Sequence, residues 1–280
     1  MSEKKQDLKP WRSYEAIYNE PDPRAYFRTL EPLGYRQPDV LAGFLALHGE
    51  EIASQLGRPH LRVLDFGCGY GALGAVLRHR LLMQDLYAHF RSGAPGDNPA
   101  LDRSFFAAHR SASPDLELGG IDIAERAVAY ALACGLIDEG FTENLATEDP
   151  GPALAAFFAE TDLVVETGAV YDHVPACYQR LLNSSERRPW FLFGPRGDAD
   201  IGPVHAILEG QGYRLESVSA QPRRYRRYAD AEEQAECEAR MAALGRQVSD
   251  HSQAGWMVNP LLLARPASQA EALPRQALRY

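Results

Sequence analysis

Asp65, Gly67, Gly69 and Gly71 stand at alternating positions in the segment R-V-L-D-F-G-C-G-Y-G-A-L-G, residues 62–74. Glycines lack the Cβ that would hold a ligand away, so backbone N–H groups in such a loop can be approached closely. Val63 and Leu64 form a short apolar run ahead of the loop, and Leu73, Val76, Leu77 and Leu81 recur at helical spacing behind it. Buried strand, glycine loop, then helix is the order in which an α/β sheet offers N–H groups to a nucleotide-like ligand. Gly67, Gly69 and Ala72 also satisfy a loose G-x-G-x-x-A dinucleotide fingerprint. Asp65 argues against that reading, because a carboxylate two residues before the first glycine repels a pyrophosphate. A dinucleotide site also needs an acid about 20 positions on, at the end of a second strand. The acid near that position, Asp85, follows the helix with no strand before it. A ligand with positive charge and no phosphate tolerates or uses Asp65. A glycine loop that binds nothing is the third alternative.

The segment resembles motif I of the class I S-adenosylmethionine (SAM) dependent methyltransferases. The resemblance covers about residues 60–265 and implies an α/β, Rossmann-like sheet of seven strands with the last one antiparallel. It implies SAM as cofactor, its methionine part against Gly67, Gly69, Tyr70 and Gly71, and its ammonium on Asp65 and the loop carbonyls. Asp122, in Gly-Ile-Asp-Ile, resembles the acid that holds the ribose diol, and Ile123 would flank the adenine. The alternative for Asp122 is an N-cap for the helix from Ala124 onward. Asn144 and Leu145 correspond to the segment that reads the adenine edge. Asp162 to His173, D-L-V-V-E-T-G-A-V-Y-D-H, resembles motif IV. There Thr167 and Gly168 would lie beside the reacting methyl, with Tyr171, Asp172 and His173 nearest to polarise a substrate or take its proton. The same Asp172–His173 pair is structural in many members, capping the next helix, so both roles stand for His173. No histidine or acid spacing points to a metal site.

These residues need a scaffold, and the chain supplies its elements in order. Residues 1–12 are charged, contain Pro10 and read as disordered. From Trp11 to Leu47 the chain is rich in aromatics, with Pro21, Pro23, Pro32 and Pro38 breaking it into short pieces before a helix over 39–56. Tyr14, Tyr18 and Tyr26 in this segment are candidates for a lid or substrate contact; packing on the sheet is the alternative. Strands are expected near 61–66, 116–123, 141–145, 162–166, 190–193, 213–218 and 256–264, with Pro260 marking a bulge or edge. Helices between them imply a mostly parallel sheet. From Gly71 to Asp122 is 51 residues, against the usual separation of about 20, so 83–115 is an insertion. A helix over 230–244 is a second one. The organisation expected is a lid over 1–58, a SAM-binding domain over 59–265 with insertions at 83–115 and 222–250, and a tail over 266–280. Both insertions are placed to shape a substrate pocket.

The 280 residues, 45% of them hydrophobic, suit one soluble globular domain with appendages. No run of 18 apolar residues predicts a membrane span. The polar start and four scattered cysteines, Cys68, Cys134, Cys177 and Cys237, suggest a cytoplasmic protein with reduced thiols. A formal charge of −9 opposes a nucleic-acid substrate. The basic run Arg223, Arg224, Arg226 and Arg227 is open to three readings: a nucleic-acid patch, a clamp for a small anion, or a solvated strand. No Asn-Pro-Pro-Tyr or Asp-Pro-Pro-Tyr follows the fourth strand, which argues against amino methylation of adenine in DNA.

The string Tyr-x-x-x-Tyr-x-x-x-Asp-Pro-Arg-x-Tyr-Phe, residues 14–27, together with Asp65-Phe-Gly-Cys-Gly-Tyr-Gly and Gln221-Pro-Arg-Arg-Tyr, is similar to a bacterial group of methyltransferase-like proteins. Relatives in that group imply a further option, cyclisation of SAM to azetidine-2-carboxylate and methylthioadenosine. An aromatic cage for the sulfonium would then come from Tyr14, Tyr18, Tyr70 and Tyr171. The expected function is methyl transfer from SAM to a small-molecule acceptor. A SAM cyclase or lyase and a non-catalytic SAM-binding protein are the alternatives.

Overall fold

The computed structural model describes residues 15–92, 99–111, 116–169, 172–273 and 278–280. Among the described residues there are nine strands: β1 Leu61–Phe66, β2 Leu116–Ile121, β3 Glu139–Phe141, β4 Leu163–Glu166, β5 Trp190–Phe193, β6 Tyr213–Ser217, β7 Arg223–Arg227, β8 Trp256–Asn259 and β9 Leu262–Pro266. Seven form one sheet in the order β3-β2-β1-β4-β5-β9-β6, and β7 and β8 form a separate pair. The first five of that order run parallel; β9 is antiparallel to both its neighbours. β1 has β2 on one side and β4 on the other, so the chain reverses its winding there. The crevice beyond the carboxyl ends of β1 and β4 is where such sheets bind ligands.

The strands are apolar on both faces because helices cover both. Leu61 and Val63 share one core with Leu118, Leu163, Val165, Trp190 and Leu192. Leu64 and Phe66 point the other way, to Ile121, Val164, Phe191 and Phe193. The first face is covered by helices Gln37–Gln55, Ala72–Arg78, Glu125–Ala133 and, at the crevice, Arg24–Leu30. Pro152–Glu160, Val174–Asn183 and Gly202–Gly210 cover the second. The first core runs without a break from Tyr26, Phe27 and Leu30 in the N-terminal segment to Leu278. Among the described residues no helix is long and apolar enough to cross a membrane.

Two expectations change. The strand expected over 256–264 is two strands, since Pro260 has no N–H to continue a ladder. β8 leaves the main sheet to pair with β7, and β9 enters between β5 and β6. The third strand ends at Phe141, which puts Asn144 and Leu145 in the turn after it. The insertion over 83–115 contains two helices, Met83–Arg91 and Pro99–Ala108. These dock on the N-terminal segment: Arg24 and His89 both bond Asp102, which is 1% exposed, and Tyr130 bonds it from the opposite helix at 3.0 Å. Residues 1–12, expected to be disordered, lie outside the described residues.

Candidate active site

β1 ends by turning its last residues into a glycine loop. Gly67, Gly69 and Gly71 all take positive φ (+78°, +49° and +76°), which only glycine adopts without strain. They divide by task. A Cβ on Gly71 would lie 2.9 Å from Leu136, so this glycine serves the seating of its helix on the core. A Cβ on Gly67 or Gly69 would make only ordinary van der Waals contact, with Ala169 at 3.9 Å and with the Tyr18 ring at 3.6 Å. The loop is tied to the end of β2: the N–H groups of Gly67 and Cys68 donate to the Ile121 carbonyl, and that of Gly69 donates to Asp122 Oδ2 at 2.9 Å. Asp122 Oδ1 accepts from Ala124 N–H, also at 2.9 Å. Asp122 thus holds loop and helix start together, and each carboxylate oxygen keeps a second lone pair for a ligand. Burial outweighs those two backbone bonds and raises its pKa.

Asp65 is fully buried, and neither of its oxygens has a hydrogen-bond partner among the described residues. Burial pushes its carboxyl well above the usual carboxylate range, and the charges of Asp122 and Glu166 add to the shift. Glu166 ends β4, paired with Phe66 across the ladder, and accepts the N–H groups of Gly168 and Ala169. Three carboxyl groups therefore crown the adjacent ends of β2, β1 and β4. Such a crown repels phosphate and attracts a cation.

A roof of tyrosines closes over this crown. Tyr18 lies against Gly69 and edge-on to Tyr26, their ring centroids 5.1 Å apart. Tyr35 donates its hydroxyl to the Thr167 carbonyl at 2.6 Å and stands edge-on to Tyr225 at 5.3 Å. The Tyr225 hydroxyl occupies the place a Cβ on Gly168 would fill, 2.6 Å away. Burial, then the neighbouring phenols, push the Tyr26 and Tyr35 hydroxyls far up, so both stay neutral. Tyr70 differs from expectation: only its backbone belongs to the loop. Its buried hydroxyl lies 2.9 Å from the carbonyls of Ile17 and Glu20 and accepts from Glu20 N–H, which pins the N-terminal segment. Burial pushes that phenol up to about 12. Asn19 adds a second tie, accepting from Arg126 N–H at 2.9 Å.

The remaining expected residues are spread around the rim. Ile123 is 64% exposed beside Asp122, an apolar surface next to the crown. Asn144 is exposed and spends its side-chain oxygen on Ala146 N–H, while Leu145 is buried in the second core. Asp172 and His173 are exposed at the start of helix Val174–Asn183; His173 occupies the N-cap position without a side-chain capping bond. Tyr14 and Tyr171 lie outside the described residues. Glu166, Tyr35 and Tyr225 were not singled out from sequence. Glu166 ends an apolar strand as Asp65 does, which was the available signal; nothing local marks the two tyrosines. The basic run is β7, with Arg226 buried, Arg223 half-buried and Arg224 and Arg227 exposed. Arg226 forms a buried pair with Glu233, Arg224 and Arg227 lie over Trp256, and Arg223 lies over Tyr280.

No family model matches the chain and no curated protein matches it in sequence. Among solved structures it is similar to a TehB-like SAM-dependent methyltransferase from Corynebacterium glutamicum, at 12% identity over 75% of this chain and 84% of that one, TM-score 0.37. It is similar to the O-methyltransferase of a trans-AT PKS multienzyme of Brevibacillus brevis in complex with S-adenosyl-L-homocysteine, at 11% identity, 78% and 71% coverage, TM-score 0.38. A third is the plantazolicin methyltransferase BpumL with a desmethyl analogue and S-adenosylhomocysteine, at 10% identity, 82% and 85% coverage, TM-score 0.40. The fold is read from the strand order itself: five parallel strands that reverse winding at β1, with antiparallel β9 inserted before β6, make this a seven-stranded, Rossmann-like α/β sheet.

Proposed function

We propose that the chain binds SAM at the carboxyl ends of β1, β2 and β4 and transfers its methyl group to a small-molecule acceptor. The observation that carries this reading is Asp65, a buried carboxyl group without a hydrogen-bond partner among the described residues, in a crown of three acids. An ammonium supplies the missing donors, and the crown suits a ligand with two positive centres and no phosphate. Gly67 and Gly69 give the backbone access, Asp122 has lone pairs left for a diol, and exposed Ile123 gives a flat base an apolar surface. SAM supplies a methyl on a sulfonium, already activated for in-line displacement, so positioning by the protein carries most of the catalysis. The tyrosine roof excludes water, and its ring faces favour a cation beneath them. Asp172 and His173, exposed at the start of the helix that follows β4, are the candidates for passing a proton from an acceptor to solvent. The net charge of −9 and the burial of Arg226 against Glu233 support a small acceptor over a nucleic acid. Four free, buried thiols fit a reducing compartment such as the cytoplasm.

A second reading has one observation in its favour. Tyr18 closes directly on the glycine loop, an arrangement suited to SAM being its own substrate, split to azetidine-2-carboxylate and methylthioadenosine. Incubation with SAM alone, followed by mass spectrometry, separates the two. Methylthioadenosine with a four-carbon amino acid establishes the second reading. Intact SAM that co-purifies with the protein supports the first, and S-adenosylhomocysteine is then formed only when an acceptor is added. Failure of SAM to bind rejects both.

A further inference from the structure

Gln37 opens the helix Gln37–Gln55, two residues after Tyr35, and is 1% exposed. Its side chain reaches down to the end of β5, next to the strand end where Tyr35 meets Thr167. The pairing of Glu166 with Phe193 puts Gly194 beside Thr167. A Cβ on Gly194 would lie 1.8 Å from Gln37 Nε2, so the amide sits directly against the Gly194 backbone. The orientation of the amide is fixed by a chain of bonds. The Gly194 carbonyl can only accept, so Asn259 turns its Nδ2 toward it, at 3.1 Å. The same Nδ2 donates to Gln37 Oε1 at 2.9 Å. Gln37 Nε2 is thereby the end of the amide not bonded to Asn259; it is buried and without an acceptor among the described residues. A buried donor left unmatched is costly and calls for a partner. β8 reaches this point because the chain breaks at Pro260, so the parting of β8 from the main sheet is what delivers Asn259.

We infer that Gln37, held in register by Asn259 as a positioning residue, is the donor that recognises a carbonyl oxygen on the acceptor molecule. This rests on the proposed placement of methyl transfer at the ends of β1, β2 and β4. It adds a substrate class to it: small molecules with a ketone, ester or amide oxygen next to an apolar or aromatic body that fits under the tyrosines.

Acetophenone and α-methylstyrene test this, since they share one shape and differ only by oxygen in place of a methylene group. Binding of each is measured by calorimetry with S-adenosylhomocysteine present and absent. The wild type should prefer the ketone by about tenfold. Gln37→Met, which keeps the size and loses the donor, should bring the preference to about twofold or less. Asn259→Asp should do the same, because its carboxylate draws the Gln37 N–H groups to itself. Gln37→Glu, which keeps the oxygen facing Asn259, replaces Gln37→Met if that variant does not fold. Equal binding of the two probes by the wild type, binding of neither, or a preference that survives in the variants overturns the assignment. Loss of S-adenosylhomocysteine binding alone would reject the cofactor reading and leave the ketone preference to be judged by itself.

Discussion

Asp65 costs the fold free energy for as long as its two buried oxygens lack donors. Its folded pKa lies above the unfolded one, so the folded chain keeps this proton at a pH where the unfolded chain has lost it. Stability therefore falls as pH climbs out of the ordinary carboxylate range, and levels off once the raised pKa is passed. A cation bound against Asp65 removes that cost, so affinity for S-adenosylhomocysteine, which keeps the ammonium, should rise over the same window. Calorimetric titrations at stepped pH should show this rise in the wild type and a clearly smaller one in Asp65→Asn, where Asp122, its own pKa raised by burial, still titrates. Asp122→Ala should weaken SAM binding by about 1–3 kcal/mol through loss of charge-assisted bonds, and unchanged affinity in the folded variant would remove Asp122 from the site. Both acids were legible in the sequence because each sits at a fixed offset from a glycine loop or a strand end. Tyr35 and Tyr225 were not, since they meet only when the N-terminal segment and the β7–β8 pair fold back over the same strand ends.

At the scale of elements, a local pattern was readable wherever one element could be judged by itself. β1, β4 and β5 are short apolar runs and lie within a residue of their expected bounds. The break at Pro260 was marked, yet which half would join the main sheet depends on pairing partners distant in sequence. The insertion over 83–115 was visible from spacing alone, while its task shows only in contacts. Asp102 gathers Arg24 from the N-terminal segment, His89 from the neighbouring helix and Tyr130 from the helix after Asp122. Burial alone would raise its pKa, but the His89 bond and the Arg24 charge outweigh that and hold it below the usual range. Its contribution to stability is present above the ordinary carboxylate value and is lost as pH falls through the depressed one. Asp102→Ala leaves Arg24 with Asp22 as its remaining acid and takes the acceptor from His89 and Tyr130, and should lower stability by about 1–3 kcal/mol in urea unfolding. A loss below about 1 kcal/mol, the scale of a surface pair, would mean the insertion is not what anchors the segment.

For the whole molecule the question is whether the N-terminal segment is a separable cover or part of the core. Tyr26, Phe27 and Leu30 are buried in the same cluster as Val63, Leu192 and Leu278, and Phe27 stacks on Phe90 at 4.3 Å. Tyr70 reaches out of the glycine loop to hold the same segment. Cover and core thus share one set of contacts, which predicts a single cooperative unfolding transition for the full chain. S-adenosylhomocysteine at a hundredfold excess over its Kd should raise the stability of that transition by about 2.7 kcal/mol, through binding to the folded state alone. Deleting residues 1–34 uncovers Phe90, Tyr87 and the Tyr70 hydroxyl and removes Tyr18 and Tyr26 from the roof. The shortened chain should melt at lower temperature and gain nothing from the same ligand concentration. Calorimetric scans of the two proteins, each with and without ligand, make the comparison. An equal ligand-induced rise in both would show that the glycine loop and the acid crown bind unaided, leaving the segment a purely structural part in the fold.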